Sequence, residues 1–251
     1  MHLKAVCLDL SGVLYQGPRL LPDARESIAQ LRRAGLPLRF VTNTSQRSRH
    51  QILVDLETLG LAVEPEELFT APQAAHQWLK QHGYRPLCLI HPNLKKEFSG
   101  LPQQAPNAVL MGDAGKGFTY AHLDQAFRLL HDGAPLVAMG DNRYYQLDDG
   151  LHLDAGPFVR ALEYAADCQA IITGKPSATF FQQVITSLEC DAGEVLMVGD
   201  DAASDVQGAL NAGLQGALVK TGKYRPGDET RIDGHYWLED GIAAVVRRVL
   251  A

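Results

Sequence analysis

Short apolar runs punctuate this chain at 3–10, 38–41, 87–90, 108–111, 135–139, 170–173, 194–198 and 216–219, and stretches with helical spacing separate most of them. That alternation predicts strands buried on both faces and joined by crossover helices, the pattern of a parallel sheet in an α/β protein. The first helix is well punctuated: Asp23 with Glu26 fits a capping-box start, Ile28 and Leu31 carry the spacing, and Gly35 ends it. Ser45 is placed to cap the next helix, which runs to about Leu59 and stops at Gly60. A third begins near Ser177, just after Pro176, with Phe180, Phe181, Val184, Ile185 and Leu188 as its inner face. A fourth runs from Asp205 towards Ala212, ahead of Gly213.

Composition narrows the class. At 251 residues, 46% hydrophobic and 21% charged, the chain can bury a substantial core, in one large domain or two modest ones, without disulfides or structural metals. A net charge of −6 and the lack of any basic run argue against sequence-independent nucleic-acid binding. No stretch of 18 apolar residues occurs, so a membrane span is not expected. The chain enters a strand by about residue 4, which leaves no room for a signal peptide. The four cysteines (Cys7, Cys88, Cys168, Cys190) are scattered in or beside apolar runs, as reduced thiols of a cytoplasmic protein would be. Nine histidines without HxH or HExxH spacing give a zinc site little support.

The polar residues that matter sit where apolar runs stop. Asp9 ends Val-Cys-Leu and is followed by the break at Gly12, and open parallel sheets bind ligands outside such carboxyl ends. Asp200 repeats the logic after Val-Leu-Met-Val-Gly. Two carboxylates on neighbouring strand tips repel unless a cation lies between them, and hard oxygen donors suit Mg²⁺. Asp205, at a helix start, is a helix cap, an acceptor behind the metal ligands, or both; Asp201 reads as a helix-entry or supporting residue rather than a ligand. Thr42 and the following Asn43 N–H close the strand Leu-Arg-Phe-Val and can hold a phosphate oxygen. Lys175, wedged between Gly174 and Pro176, can present a fixed cation to a phosphoryl group, although a lone lysine is ordinarily a solvated surface charge. All of these lie early or late in the chain. Residues 74–169 contribute none of them and are read as a second domain inserted into a core of 1–73 and 170–251.

Asp, Thr, Lys and Asp in that order, each at a strand end, resemble the four motifs of the haloacid dehalogenase superfamily. The matching stretches are Asp9-Leu10-Ser11-Gly12-Val13, Val41-Thr42-Asn43, Gly174-Lys175-Pro176-Ser177, and Gly199-Asp200-Asp201 through Asp205. The insert resembles the large α/β cap, type C2, of the subgroup containing nitrophenyl-phosphatase and pyridoxal-phosphate phosphatases. This resemblance implies a Rossmann-like doubly wound parallel sheet core carrying an α/β cap. It also implies a Mg²⁺-dependent phosphohydrolase acting on a small phosphorylated substrate, in which Asp9 attacks phosphorus and carries an aspartyl-phosphate. The Asp9 and Asp200 carboxylates and the Ser11 main-chain carbonyl would hold Mg²⁺; Thr42, the Asn43 main chain and Lys175 would bind the phosphoryl oxygens. Homodimerisation through the cap is common in that subgroup, so a homodimer stays open.

Ser11 is a departure. Most phosphatases of the superfamily carry there a second Asp that serves as general acid and base. A serine hydroxyl is too weak an acid to protonate an alkoxide fully, and losing such help costs on the order of 10²–10⁴ in rate. The loss weighs least on good leaving groups: diphosphate, aryl phosphates and P–N bonds. Leu-Ser-Gly-Val-Leu-Tyr is similar to the phospholysine phosphohistidine inorganic pyrophosphate phosphatase group, whose named substrates are of that kind. Further stretches resemble it too: Thr42 to Gln46, Arg143-Tyr144-Tyr145, Gly156-Pro157-Phe158, Ala161 to Ala165, and Thr221-Gly222-Lys223. If Asp201 or a cap residue supplies the proton instead, the leaving-group argument fails. Asn142, Arg143, Tyr144 and Tyr145 are the candidates for substrate selection, against the alternative that the tyrosines pack within the cap or a dimer contact; His91 and Asp113 read as ordinary loop residues. The rival to an enzyme is a phosphate- or metabolite-binding protein with little turnover, and a receiver-type phospho-acceptor is a remoter third.

Overall fold

A computed structural model describes residues 3–102, 104–147 and 150–251. The chain divides into two compact units: the first comprises 1–42, 50–69 and 175–251, the second 43–49 and 70–174. Strands β1 (Ala5–Asp9), β2 (Tyr15–Gln16) and β3 (Arg19–Leu20) lead into α1 (Ala24–Arg33), β4 (Leu38–Thr42), α2 (Arg49–Thr58) and β5 (Leu68–Thr70). Then come α3 (Ala71–Gln81), β6 (Pro86–Leu89), β7 (Ala108–Met111), α4 (Tyr120–His131), β8 (Leu136–Ala138), β9 (Tyr144–Leu147), β10 (Gly150–Leu153), α5 (Gly156–Ala166) and β11 (Ile171–Ile172). The chain closes with α6 (Ala178–Leu188), β12 (Val195–Gly199), α7 (Gly208–Asn211), β13 (Gln215–Val219), β14 (Trp237–Glu239) and α8 (Ile242–Val249).

The first unit is built on a six-stranded sheet in the order β14-β13-β12-β1-β4-β5. Strand β1 pairs in parallel with β4 on one side and β12 on the other, and β13 and β14 extend the parallel pairing. The chain therefore winds outward from β1 in both directions, so β1 marks the topological switch point, where doubly wound sheets bind ligands. Successive side chains alternate across a strand. Val6 and Leu8 join Leu38, Phe40, Leu196 and Val198 in a core closed by Ile28 and Leu31 of α1, Leu56 of α2, and Val245 and Val246 of α8. Helix α6 buries Phe180, Phe181, Val184, Ile185 and Leu188, the face its spacing predicts; each such side chain stabilises by roughly 1.5–3 kcal/mol.

The second unit holds a parallel sheet ordered β11-β8-β7-β6. Ala75, Trp78 and Leu79 of α3 pack on one side of it, and Ala126 and Leu130 of α4 with Val159 and Leu162 of α5 on the other. Antiparallel β9 and β10 form a separate hairpin that pairs Tyr144 with Leu153 and Tyr145 with His152. Among the described residues, no helix is long and apolar enough to cross a membrane.

Three helix starts differ from expectation. Asp23 precedes α1 with φ 60°, in the left-handed region, where its side chain makes no capping bond; Glu26 pairs with Arg33 and accepts from Gln30 instead. Ser45 caps nothing, because α2 begins only at Arg49 and the Ser45 hydroxyl accepts from the Asp113 N–H. The turn after β12 starts at Asp201 rather than Asp205, as a wide helical turn over Ala202–Gln207 that runs into α7.

Candidate active site

Asp9 is the last residue of β1 and Thr42 the last of β4, while Asp200 directly follows β12. Because Asp9 lies beside Val41, and Leu8 beside Val198, both Thr42 and Asp200 stand one step beyond Asp9 on the flanking strands. All three are buried. Lys175, at the cis bond to Pro176 just ahead of α6, is only 3% exposed. Its ammonium donates to Asp9 Oδ1 at 2.5 Å and to Asp205 Oδ1 at 2.6 Å. A lysine with this burial must be paired, and here two carboxylates share it. Asp205 is thus no helix cap: it lies inside the wide turn, where its other oxygen accepts from the Asp201 N–H at 3.2 Å. Asp201 does the capping, accepting from Ala203 N at 3.1 Å and Ser204 N at 2.9 Å.

Carboxylate oxygens of Asp9, Asp200 and Asp205 lie within 4.8 Å of one another, a group that could hold a metal ion. Burial, reinforced by the negative charges of Asp9 and Asp205, pushes Asp200 up to about 8. Asp205 is raised too, mainly by burial, although Lys175 opposes the rise. Burial alone would lower the Lys175 ammonium, but Asp205 and Asp9 outweigh it and hold it above its ordinary value. If all three acids ionise, one lysine leaves an excess of buried negative charge, and hard oxygen donors in that arrangement fit a divalent cation.

One part of the site escaped the reading of the sequence. The loop Thr221–Lys223, known there only as a stretch of resemblance, braces Asp200 from behind. The Lys223 N–H donates to Asp200 Oδ2 at 2.6 Å, and the Thr221 hydroxyl donates to the Gly12 carbonyl at 2.5 Å. Gly12 and Gly222 let the three chain segments meet. Their φ angles are +91° and +60°, and a Cβ on either would stand 1.9 Å or 2.0 Å from Asp200 Oδ2.

The remaining candidates have the following surroundings. Ser11 is exposed and forms a β-bridge with Tyr15. Asn43 opens the segment 43–49 that groups with the second unit. Tyr144 is half exposed on β9, Tyr145 stacks on His152 at 5.7 Å, and Asn142 accepts from the Gly156 N–H. Arg143 is exposed. His91 accepts from the Asn93 N–H, whereas Asp113 is buried at the end of β7.

Sequence comparison agrees with this arrangement. A haloacid dehalogenase-like hydrolase model matches residues 6–101, and a second HAD-hydrolase-like model matches 172–244. Haloacid dehalogenase-like hydrolase domain-containing protein 2 of Bos taurus is 46% identical, covering 92% of this chain and 89% of the relative. Phospholysine phosphohistidine inorganic pyrophosphate phosphatase of Danio rerio is 40% identical over 99% of this chain and 94% of its own length. The chain belongs to the haloacid dehalogenase-like hydrolases, on their phosphatase branch. Among solved structures of the family, the 4-nitrophenylphosphatase of Thermotoga maritima superposes with a TM-score of 0.90 at 26% identity, covering 98% of this chain and 97% of the other. The first matched stretch of this hydrolase carries Asp9, Ser11, Thr42 and Asn43, and the second carries Lys175, Asp200, Asp201 and Asp205.

Proposed function

We propose that the chain is a Mg²⁺-dependent phosphohydrolase that works through an aspartyl-phosphate on Asp9, with diphosphate, phosphoramidates and other good-leaving-group phosphates as substrates. The observation that carries this reading is the buried cluster in which Lys175 bridges Asp9 and Asp205 while Asp200 lies alongside. A nucleophilic carboxylate needs to be fixed in place, and the Lys175 ammonium, donating to Asp9 Oδ1, fixes it.

The Asp9 oxygen forms a bond to phosphorus as the bond to the leaving group breaks, and the leaving group departs with that electron pair. Water then attacks the same phosphorus, the Asp9–phosphorus bond breaks, and phosphate and the free carboxylate result. Lys175, the Thr42 hydroxyl and the N–H of the Thr42–Asn43 peptide plane neutralise charge on the phosphoryl oxygens. Asp205 keeps Lys175 aimed at that position, and Asp201 fixes the turn that carries Asp205. Asp9, Asp200 and the Ser11 carbonyl would hold Mg²⁺, which supplies charge neutralisation when bound.

Ser11 supplies no strong acid, which favours leaving groups that depart without a full proton. The Danio rerio relative, named for phospholysine, phosphohistidine and pyrophosphate, supports the same class of substrate. The second unit serves as the cap, with Asn142 to Tyr145 selecting the substrate. Four free cysteines fit a reducing cytoplasm, and burial pushes the Cys7 thiol up to about 12, which keeps it inert.

The test is phosphate release, with and without Mg²⁺, from pyrophosphate, imidodiphosphate, phosphohistidine, an aryl phosphate and glucose 6-phosphate. Metal-dependent release favouring the first four supports the reading. Robust sugar-phosphate hydrolysis means that another acid supplies the proton, and no release from any of them points to a binding protein.

A further inference from the structure

Asp113 is a carboxylate only 3% exposed at the end of β7, inside the second unit. Both carboxylate oxygens and the main-chain N–H are engaged. Oδ1 accepts from the Gly115 N–H at 2.8 Å, Oδ2 accepts from the Gln46 side-chain amide, and its own N–H donates to the Ser45 hydroxyl at 3.1 Å. Two more bonds hold the same segment: the Asn93 amide donates to the Gln46 carbonyl at 3.0 Å, and Glu97 accepts from the Arg49 N–H at 2.5 Å. At the segment's other end, Gly174 leaves room for Asn43, since a Cβ there would stand 2.8 Å from Asn43 Oδ1. The loop 43–49 is thus tied to the framework of the second unit along its length. Ser45 and Gln46, two residues of the Thr42-to-Gln46 stretch without a role in the chemistry above, form the loop's half of that tie.

We infer that Asp113 is a positioning residue for phosphoryl binding. By fixing Ser45 and Gln46 it fixes the backbone just after Thr42. The Asn43 N–H belongs to the peptide plane shared with Thr42, so the direction in which it points depends on how the chain is held on its far side. A buried, fully engaged carboxylate suits that task, because losing one partner leaves the other unsatisfied and the loop cannot drift at little cost. The inference rests on the phosphatase reading above and adds to it a residue that makes no contact with substrate.

The test uses the full chain with Asp113→Ala, Gln46→Ala, the double variant and the conservative Asp113→Asn. Hydrogen exchange of the 43–49 amides reports loop fixation whether or not the protein turns over substrate. Inhibition by inorganic phosphate reports phosphoryl binding, and half-saturating Mg²⁺ reports the carboxylate site. Asp113→Ala is expected to accelerate exchange in 43–49 and to raise KM and the phosphate inhibition constant about tenfold, in keeping with a small misplacement of a binding group. Half-saturating Mg²⁺ should stay within about twofold, because Asp9 and Asp200 stand on other elements. Gln46→Ala should add little on the Asp113→Ala background, and Asp113→Asn should recover most of the loss. Should Asp113→Ala fail to fold, Gln46→Ala alone is expected to weaken phosphate about threefold. Faster exchange with unchanged phosphate inhibition, or unchanged exchange, overturns the inference. A wild-type protein that releases no phosphate overturns the phosphatase reading itself.

Discussion

Replacing Asp200 by Asn should stabilise the metal-free protein at alkaline pH. Asp200 is pushed up to about 8 from an ordinary 3.8, by burial and by the neighbouring Asp9 and Asp205 charges. Below about pH 4 it is neutral in both the folded and the unfolded chain. Between about 4 and 8 the unfolded chain gives up this proton while the folded chain keeps it, so stability falls as pH rises; above about 8 the loss is complete. A gap of about four pH units, at roughly 1.4 kcal/mol each, sets a ceiling near 5–6 kcal/mol. Asp9 and Asp205 share the same strain and Lys175 relaxes it, so about 1–3 kcal/mol is the realistic gain. For a chain of this size that is a rise in melting temperature of about 3–9 °C. The introduced amide oxygen can still accept from the Lys223 N–H, so the substitution isolates the charge. The assay is thermal unfolding in EDTA at pH 8.5 and pH 5, repeated with Mg²⁺. In EDTA the variant should melt above wild type at pH 8.5, with the gap more than halved at pH 5. Saturating Mg²⁺ at about a thousand times its Kd adds about 4.1 kcal/mol to wild type alone and should reverse the order. A variant that melts at or below wild type in EDTA at pH 8.5 refutes the reasoning.

Asp9→Asn should abolish turnover, by about 10³-fold or more, with the fold retained; rate and circular dichroism check it together. Lys175→Met leaves Asp9 and Asp205 facing each other without their cation, and should lower metal-free stability by about 3 kcal/mol and kcat by at least about 10²-fold, read from melting curves and steady-state kinetics. Gly222→Ala places a Cβ where Asp200 Oδ2 stands; it should raise half-saturating Mg²⁺ about 10–100-fold, while KM at saturating metal stays within about threefold. Ser11→Asp should accelerate sugar-phosphate hydrolysis more than pyrophosphate hydrolysis, and an equal effect on both counts against the leaving-group argument.

Much of the site was legible because its chemistry stands where apolar runs stop. Asp9, Thr42 and Asp200 each follow an unbroken run of buried strand, and a polar residue there has nowhere to go but the strand tip. What escaped depends on contacts between residues far apart in sequence. Asp205 looked like a helix cap because its neighbours fit a helix start, and only its ion pair with Lys175, 30 residues away, shows why it is buried instead. Asp113 looked like an ordinary loop residue because Gln46 lies 67 residues from it. The Ser45 and Asp23 caps failed for a related reason: tertiary partners and a left-handed backbone override a local signal worth about 1 kcal/mol. Short strands such as β2, β3 and β14 carry too few residues to show any period.

The charge balance of the cluster joins these findings. Asp9, Asp200 and Asp205 carry three negative charges when ionised against the single positive charge of Lys175. The protein holds these groups in a buried place, where an unpaired ionised carboxylate costs several kcal/mol. It also aims the Lys223 N–H at Asp200, and it uses Gly12 and Gly222 to bring backbone against that carboxylate. A purely structural role would be served better by one fewer acid or one more base. The excess makes physical sense if a divalent cation enters and restores neutrality. In the proposed mechanism a bound cation would let Asp200 ionise at neutral pH and leave Lys175 to neutralise charge on the phosphoryl group that Asp9 would attack. Lys175 bridges the two carboxylates, and under the proposed mechanism it would also offset phosphoryl charge once substrate arrives. That is why its removal should damage stability and turnover together, whereas Asp9→Asn, which leaves Lys175 paired with Asp205, should abolish turnover with the fold retained.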